Sequence, residues 1–77
     1  MRLSKAFGQN VRQLRKKKGL SIEALADDVR VATTYVGQLE RGQRNPTLAM
    51  VEKFAEVLGA EPLDLLKTPA VEPDAKA

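Results

Sequence analysis

The 77-residue sequence contains no cysteine, no histidine and no tryptophan, and its only aromatic residues are two phenylalanines and one tyrosine. Without cysteine the chain has no disulfide and no thiolate metal site. Without histidine a zinc site would need carboxylates alone, and acid–base or nucleophilic catalysis would lack its usual side chains. We therefore expect a protein that is not an enzyme and that uses no metal and no cofactor.

The sequence also lacks a long apolar run. No stretch approaches the roughly 18 apolar residues of a membrane span. The first 19 residues, MRLSKAFGQNVRQLRKKKG, have no unbroken apolar region of the signal-peptide kind. We expect no membrane partner and a cytoplasmic, nucleoid-associated location. The length allows one domain with a thin core, because so short a chain buries only about 60% of its unfolded surface.

Charge is unevenly distributed along the chain, although the formal net charge is only +3. Residues 1–20 hold seven lysines or arginines and no acid, whereas residues 21–40 hold four acids against Arg30. The cluster Lys16–Lys18 alone is equally compatible with a solvated helix end, since lysine favours a helix C-terminus. Together with Arg41 and Arg44 it favours a basic face for nucleic acid.

Hydrophobic periodicity predicts an all-α fold of five short helices. Apolar residues recur every three or four positions, Ser21 and Thr47 stand at N-cap positions, and Gly19, Gly42 and Gly59 stand where helices end. Pro62 suits the first turn of a fifth helix that continues through Leu66. The predicted inward-facing residues are Leu3, Phe7, Val11, Leu14, Ile22, Leu25, Ala26, Val29, Ala32, Val36, Leu39, Leu48, Val51, Phe54, Ala55 and Leu58.

The chain divides into one domain, residues 1–67, and a C-terminal tail, residues 68–77. The tail, TPAVEPDAKA, has two prolines and little to bury, so we expect it to be disordered. Inside the domain only a few residues, around Arg30–Ala32, separate the second and third helices. So short a connection is typical of a helix-turn-helix.

The outer side of the third helix carries small or amide-bearing residues instead of the long charged ones usual on a solvated surface. Gln38 can pair with adenine through two hydrogen bonds, and a threonine methyl group can contact the methyl group of thymine. Short polar residues are also tolerated on ordinary surfaces, so the pattern alone is ambiguous. The candidate base-reading residues are Thr33, Thr34, Gly37, Gln38 and Arg41.

The residues around this helix supply hydrogen-bond donors of the kind that bind DNA phosphates. Tyr35 borders the core stripe, and we expect it to be half-buried with its hydroxyl group in water or on a phosphate. Ser21 is in any case an ordinary helix cap. The candidate backbone-contacting residues are Lys17, Ser21, Tyr35, Gln43, Arg44 and Asn45.

The fourth helix has a wider apolar arc than its core stripe requires. In so small a chain part of this surface stays exposed unless the tail or the first helix folds over it. We favour a twofold-symmetric homodimer through the fifth helix and the end of the fourth. The candidate interface residues are Met50, Phe54, Val57, Leu63 and Leu66.

A recognisable set of residues runs from about Gly8 to Leu66. It comprises Gly8, VRQLR at 11–15, GLS at 19–21, LA at 25–26, YV at 35–36, LERG at 39–42, NP at 45–46, Leu48, Ala55, LG at 58–59 and Leu65. This combination resembles the Cro/lambda-repressor-type (XRE-like) helix-turn-helix family. The resemblance implies a five-helix bacterial or phage transcription regulator, usually dimeric, that binds DNA.

The resemblance also implies roles for particular residues. It assigns base contacts to Thr33, Thr34, Gly37 and Gln38, backbone contacts to the neighbourhood of Ser21, Arg41 and Arg44, and an ion pair to Arg15 and Glu40. Two positions depart from the family pattern. Ile22 replaces a glutamine that binds phosphate in many members, and Ala32 replaces a capping serine or threonine, so that Thr33 is left as an alternative cap.

Two functions remain open from the sequence. The first is a stand-alone dimeric regulator that reads a palindromic double-stranded DNA operator, as a phage-type repressor, a restriction-modification controller or an antitoxin. RNA polymerase or a cognate toxin would then be a further partner. The alternative is a protein-interaction module that retains the fold without specific DNA binding, with Ile22 and Gly37 as signs of drift.

Overall fold

The computed structural model describes residues 3–68, and all regular structure in that range is helical. Four α-helices are followed by a 3₁₀ helix, here called η1. Residues 69–77, which make up nearly all of the predicted disordered tail, lie outside the described residues. The elements are α1 (Leu3–Lys17), α2 (Ile22–Val29), α3 (Thr33–Glu40), α4 (Leu48–Leu58) and η1 (Pro62–Leu65).

The all-α prediction is confirmed for residues 3–68, but the count of five α-helices is not. The fifth element is a 3₁₀ helix of only four residues. Its bonds run from Asp64 N–H to the Glu61 carbonyl and from Leu66 N–H to the Leu63 carbonyl. A segment this short gains little from α-helical bonds and adopts the tighter turn. That turn buries Leu65 completely and leaves Leu63 75% exposed.

Local capping explains where the helices begin. The Ser21 hydroxyl accepts a hydrogen bond from Ala24 N–H at 3.0 Å, and the Thr47 hydroxyl accepts one from Met50 N–H at 3.1 Å. At α3 the N-cap is Ala32, and no side chain caps the helix. Thr33 lies inside α3, so it does not replace the missing cap.

The turn between α2 and α3 depends on an unusual residue. Arg30 adopts the left-handed conformation, with φ of 70° and ψ of 49°, and is the one non-glycine residue in residues 3–68 with positive φ. Its N–H and that of Val31 both donate to the Ala26 carbonyl. Left-handed backbone is costly for a residue with a Cβ atom. The short turn is therefore kept at the expense of some backbone strain.

The core is formed by side chains from all five elements. Phe7 of α1 and Phe54 of α4 meet edge to face at its centre, with ring centroids 5.6 Å apart and an interplanar angle of 81°. Both rings are fully buried, so the prediction that Phe54 lies at a dimer interface is wrong for this fold. The buried apolar residues are Phe7, Val11, Leu25, Ala26, Val29, Val36, Leu39, Val51, Phe54, Ala55, Leu58 and Leu65.

Three residues predicted to face inward are instead exposed. Ala32 is the N-cap of α3, so its side chain projects before the helix begins. Leu3 and Leu48 are the first residues of α1 and α4, and they are 44% and 77% exposed. Helical periodicity identifies a face, but the end residues of a helix can lie beyond the edge of the core.

Two long-range contacts fix α1 against the rest of the fold. At Gly8 a Cβ atom would clash with the Leu39 carbonyl oxygen and lie 3.0 Å from that of Glu40, so α1 and α3 meet backbone to backbone. The buried Asn10 amide donates to the carbonyl oxygens of Leu65 and Lys67 at 2.8 and 2.9 Å. These bonds hold η1 on α1.

The longest helix in the described range, α1, has 15 residues. Between residues 3 and 68, none of the helices combines the length and the apolar character that crossing a membrane would require.

Candidate nucleic-acid interface

The inner side of α3 is held by a mostly buried ion pair between Arg15 and Glu40. The Arg15 Nε donates to Glu40 Oε2 at 2.6 Å, and Nη2 donates to Oε1 at 3.1 Å. A third donor, Nη1, binds the Leu20 carbonyl at 2.8 Å. The two side chains are only 10% and 6% exposed. Because the guanidinium is a planar fork, this geometry fixes the direction of α3 as well as its position.

The outer side of α3 presents the residues that the sequence suggested for base reading. Thr33, Thr34 and Arg41 are exposed, and Gln38 is half-buried. Gly37 lies on the same side but is buried. A Cβ atom there would first meet Arg41 Nη1, at 3.4 Å, so the Arg41 guanidinium covers this glycine. Gly37 thus leaves space for the Arg41 side chain and exposes little surface itself.

An open concavity of about 480 Å³ lies between the start of α2 and the outer side of α3. It lies where the N-terminal ends of the two helices approach each other. Such ends offer unpaired backbone N–H groups and the positive end of the helix dipole. The residues that line it are Arg15, Ser21, Ile22, Glu23, Thr33, Thr34, Gly37 and Arg41.

Arg44 contacts α3, an arrangement that sequence reasoning did not find. Its Nη1 donates to Gln38 Oε1 at 3.0 Å, and its Cζ lies 5.1 Å from the centroid of the Tyr35 ring. The Gln38 carbonyl is thereby engaged, while the amide nitrogen remains available as a donor. Arg44, predicted only as a phosphate contact, also orients the candidate base-reading glutamine. A loop residue six positions beyond its partner gives no periodic signal, so the sequence could not reveal the contact.

The loop after α3 is also organised by Gln43. Its Oε1 accepts a hydrogen bond from Arg41 Nε at 3.3 Å. Its backbone N–H donates to the Gln38 carbonyl at 2.9 Å and so continues the helix end into the loop. Arg41, Gln43 and Arg44 therefore lie together beside the exposed side of α3.

Two of the proposed backbone-contacting residues lie elsewhere. Lys17 lines a different concavity, together with Asn10, Ala60 and Lys67. Asn45 lines an apolar groove that includes Leu3, Leu48 and Leu66. The structure therefore does not group Lys17 or Asn45 with the outer residues of α3, whereas it does place Ser21, Tyr35, Gln43 and Arg44 beside them.

The proposed dimer surface is more limited than the sequence suggested. Leu63 is strongly exposed, and Met50, Val57 and Leu66 are half-buried against the core. Phe54 does not contribute, because its ring is inside the core.

Two helices joined by a short turn, with the second anchored on its inner side and exposed on its outer side, define the helix-turn-helix class. The sequence profile of the helix-turn-helix family matches residues 11–66. The control protein C.BamHI of Bacillus amyloliquefaciens is 46% identical over 61 residues, 78% of this chain and 75% of that protein. The chain thus belongs to the Cro/lambda-repressor-type helix-turn-helix family.

Solved structures show the same fold. The restriction-modification controller protein C.AhdI from Aeromonas hydrophila has a TM-score of 0.76 at 47% identity, covering 80% of this chain and 94% of that chain. The master regulator for biofilm formation SinR, solved in complex with DNA, has a TM-score of 0.75 at 37% identity, covering 79% of this chain and 98% of that chain.

Proposed function

We propose that this protein is a sequence-specific DNA-binding transcription regulator, not an enzyme, that acts as a homodimer on a palindromic operator. The observation that carries the proposal is the two-sided environment of α3. Buried contacts from α1 fix its inner side, and short polar side chains cover its exposed outer side. A helix of this kind can enter a major groove without carrying its own charged residues into a clash with the base edges.

The charges around α3 support the same function. Arg41 and Arg44 lie beside the exposed side of the helix, and Ser21 begins α2 at the rim of the same concavity. Arginine and helix N-termini are frequent phosphate partners in protein–DNA interfaces. Bases would then be read by Thr33, Thr34 and Gln38, while the surrounding groups hold the DNA backbone and set the register.

A homodimer would explain the exposed apolar side chain of η1. Leu63 is 75% exposed although it lies beside the buried Leu65. Asn10 fixes η1 on α1, so this surface is rigid enough to pair with a second copy. A twofold interface there would place the two α3 helices in successive major grooves, which lie about 34 Å apart.

Among regulators, a restriction-modification controller is the type that we favour. C.BamHI is named a control protein and C.AhdI a restriction-modification controller, and they are 46% and 47% identical to this chain over the 78% and 80% of it that they cover. A controller would occupy its operator and there block or contact RNA polymerase.

Selection from a pool of random duplexes tests the proposal. We expect enrichment of a palindrome whose half-sites lie about one helical turn apart, bound at two protein chains per duplex. The matched control is Gln38→Ala, which should fail to enrich the same sequence. If no sequence were enriched and all duplexes bound equally, the protein-interaction module would be the better account.

The dimer is tested separately by Leu63→Asp. A charge on this exposed leucine should leave the monomer folded, because the side chain makes little contact with the core. Sedimentation should show loss of the dimer, and operator affinity should fall with it. An intact Leu63→Asp dimer would place the interface elsewhere. Gln9→Asp, which adds the same charge at an exposed position of α1, is the control.

A further inference from the structure

Ile22 gives the concavity between α2 and α3 an apolar wall. It is the first residue of α2, it is half-buried, and it packs against the core, so its position is fixed. Thr33 and Thr34 line the same concavity and can each offer a methyl group. Ile22 thus packs against the core on one side and lines the concavity on the other.

Part of the space opposite Ile22 is available because residue 37 is glycine. The atoms that a Cβ atom would meet there all belong to the Arg41 guanidinium, between 3.4 and 4.0 Å away. Arg41 is exposed and held by a single long hydrogen bond to Gln43, so it can shift when DNA enters. The concavity therefore combines one fixed apolar wall with one adjustable cationic wall.

The chemistry of the wall limits what it can contact on DNA. Ile22 has no side-chain donor for a phosphate, so its side chain is suited to an apolar group instead. In the major groove the apolar group on a base edge is the C5 methyl group of thymine. A 5-methylcytosine carries the same methyl group at the same position.

We propose that Ile22, with Thr33 and Thr34, forms a site for the C5 methyl group of a pyrimidine in the operator. This inference deepens the proposed function and rests on it. The polar groups around the methyl group suit both possible bases. Arg41 can donate to the O4 of thymine, and Glu23 can accept from the N4 amino group of 5-methylcytosine.

The test starts from the selected duplex and changes single methyl groups. Each thymine is replaced in turn by uracil, which removes only the C5 methyl group, and each cytosine is replaced in turn by 5-methylcytosine. Binding of the full chain is measured by fluorescence anisotropy. At the contacted position we expect about a fourfold change in affinity per methyl group, the value for burying one such group.

The Ile22→Ala variant identifies the residue responsible. It should bind the duplexes with and without the critical methyl group equally, while its preference at other positions is retained. Ile22→Val, which removes less of the side chain, should keep most of the discrimination and guards against misfolding of the alanine variant. Leu48→Ala is the matched control, because it shortens an exposed apolar residue outside the concavity.

The possible outcomes distinguish failure of the methyl site from failure of the proposed regulator function. Sensitivity to uracil identifies thymine as the source of the methyl group, and a gain with methylated cytosine identifies 5-methylcytosine. Specific operator binding that is unaffected by every methyl change would overturn the site and leave the regulator function intact. The site assignment would also fail if Ile22→Ala kept full discrimination. Absence of any specific binding would overturn both.

Discussion

The inner and outer sides of α3 differ in how strictly their residues are constrained. On the inner side Gly8 allows backbone contact with α1, and the Arg15–Glu40 pair is buried and doubly hydrogen-bonded. On the outer side Thr33 and Thr34 are exposed, and their side chains are not part of the core. The inner side of α3 thus sets the position of the helix, whereas residues on its outer side can differ without disturbing the fold. A scaffold that is to bind many DNA sequences requires this combination.

The largest expected effect comes from breaking the buried ion pair on the inner side. Glu40→Ala leaves the Arg15 guanidinium buried without its carboxylate, and removing one partner of such a pair typically costs about 3 kcal/mol. We expect a loss of that size in the free energy of unfolding, measured by urea denaturation. Glu56→Ala, at an exposed glutamate of α4, should change it by less than about 0.5 kcal/mol. Equal effects of the two substitutions would mean that the pair does not anchor α3.

The Gly8→Ala substitution tests the backbone contact on the same side. Helix propensity alone predicts stabilisation by about 1 kcal/mol. The added methyl group, however, meets the Leu39 carbonyl oxygen, and overpacking of this kind costs about 1–3 kcal/mol. We expect net destabilisation in thermal or urea unfolding, together with weaker operator binding, because α3 must move away from α1. A more stable Gly8→Ala protein would contradict the close contact, and Gln9→Ala on the exposed side of α1 is the control.

Arg44 tests how far the outer side is preorganised. Arg44→Ala removes the bond to Gln38 and the contact with the Tyr35 ring. We expect operator affinity to fall about tenfold, within the range for one well-placed base contact. Arg44→Lys keeps the charge but not the planar fork, so it should restore binding to scrambled DNA without restoring preference for the operator. Full restoration of operator binding by lysine would show that Arg44 acts only as a phosphate contact.

The smallest expected effect concerns the turn that presents α3. Arg30→Gly removes the Cβ atom from a left-handed residue and should stabilise the fold by about 1 kcal/mol. Gly59 has the same φ of 70°, and no atom lies within 4 Å of a Cβ placed there. Gly59→Ala should therefore destabilise by about the same amount, as measured by urea unfolding. If both substitutions changed the free energy of unfolding in the same direction, something other than backbone strain would dominate at one of these positions.

The parts of the fold that depend on local chemistry were predictable from the sequence. Ser21 and Thr47 marked the starts of α2 and α4 because an N-cap needs only a side-chain oxygen and the next N–H groups. The buried positions of Val36 and Leu39 followed from helical spacing. These interactions involve residues three or four apart, so one sequence carries the information.

The features that could not be predicted from the sequence depend on residues far apart in the chain, or on a side chain that suits two different places in the fold. Asn10 donates to carbonyl groups more than 50 positions away, and the residues next to it in the sequence give no sign of these bonds. Phe54 suited both the core and a dimer surface by helical phase, and only the packing of Phe7 against it decides for the core. In the candidate site, the Arg41 guanidinium lies over Gly37 and Arg44 donates to Gln38. Both contacts likewise depend on how the loop after α3 folds back on the helix.

The most direct test of the division between the two sides is the affinity of Gln38→Ala for the selected operator and for a scrambled duplex. We predict about a tenfold loss per half-site on the operator, little change on the scrambled duplex and nearly unchanged stability, because Gln38 is proposed to read a base and its side chain makes only an exposed hydrogen bond to Arg44. Equal losses on both duplexes would contradict it. They would show that the outer side of α3 contributes affinity without sequence preference.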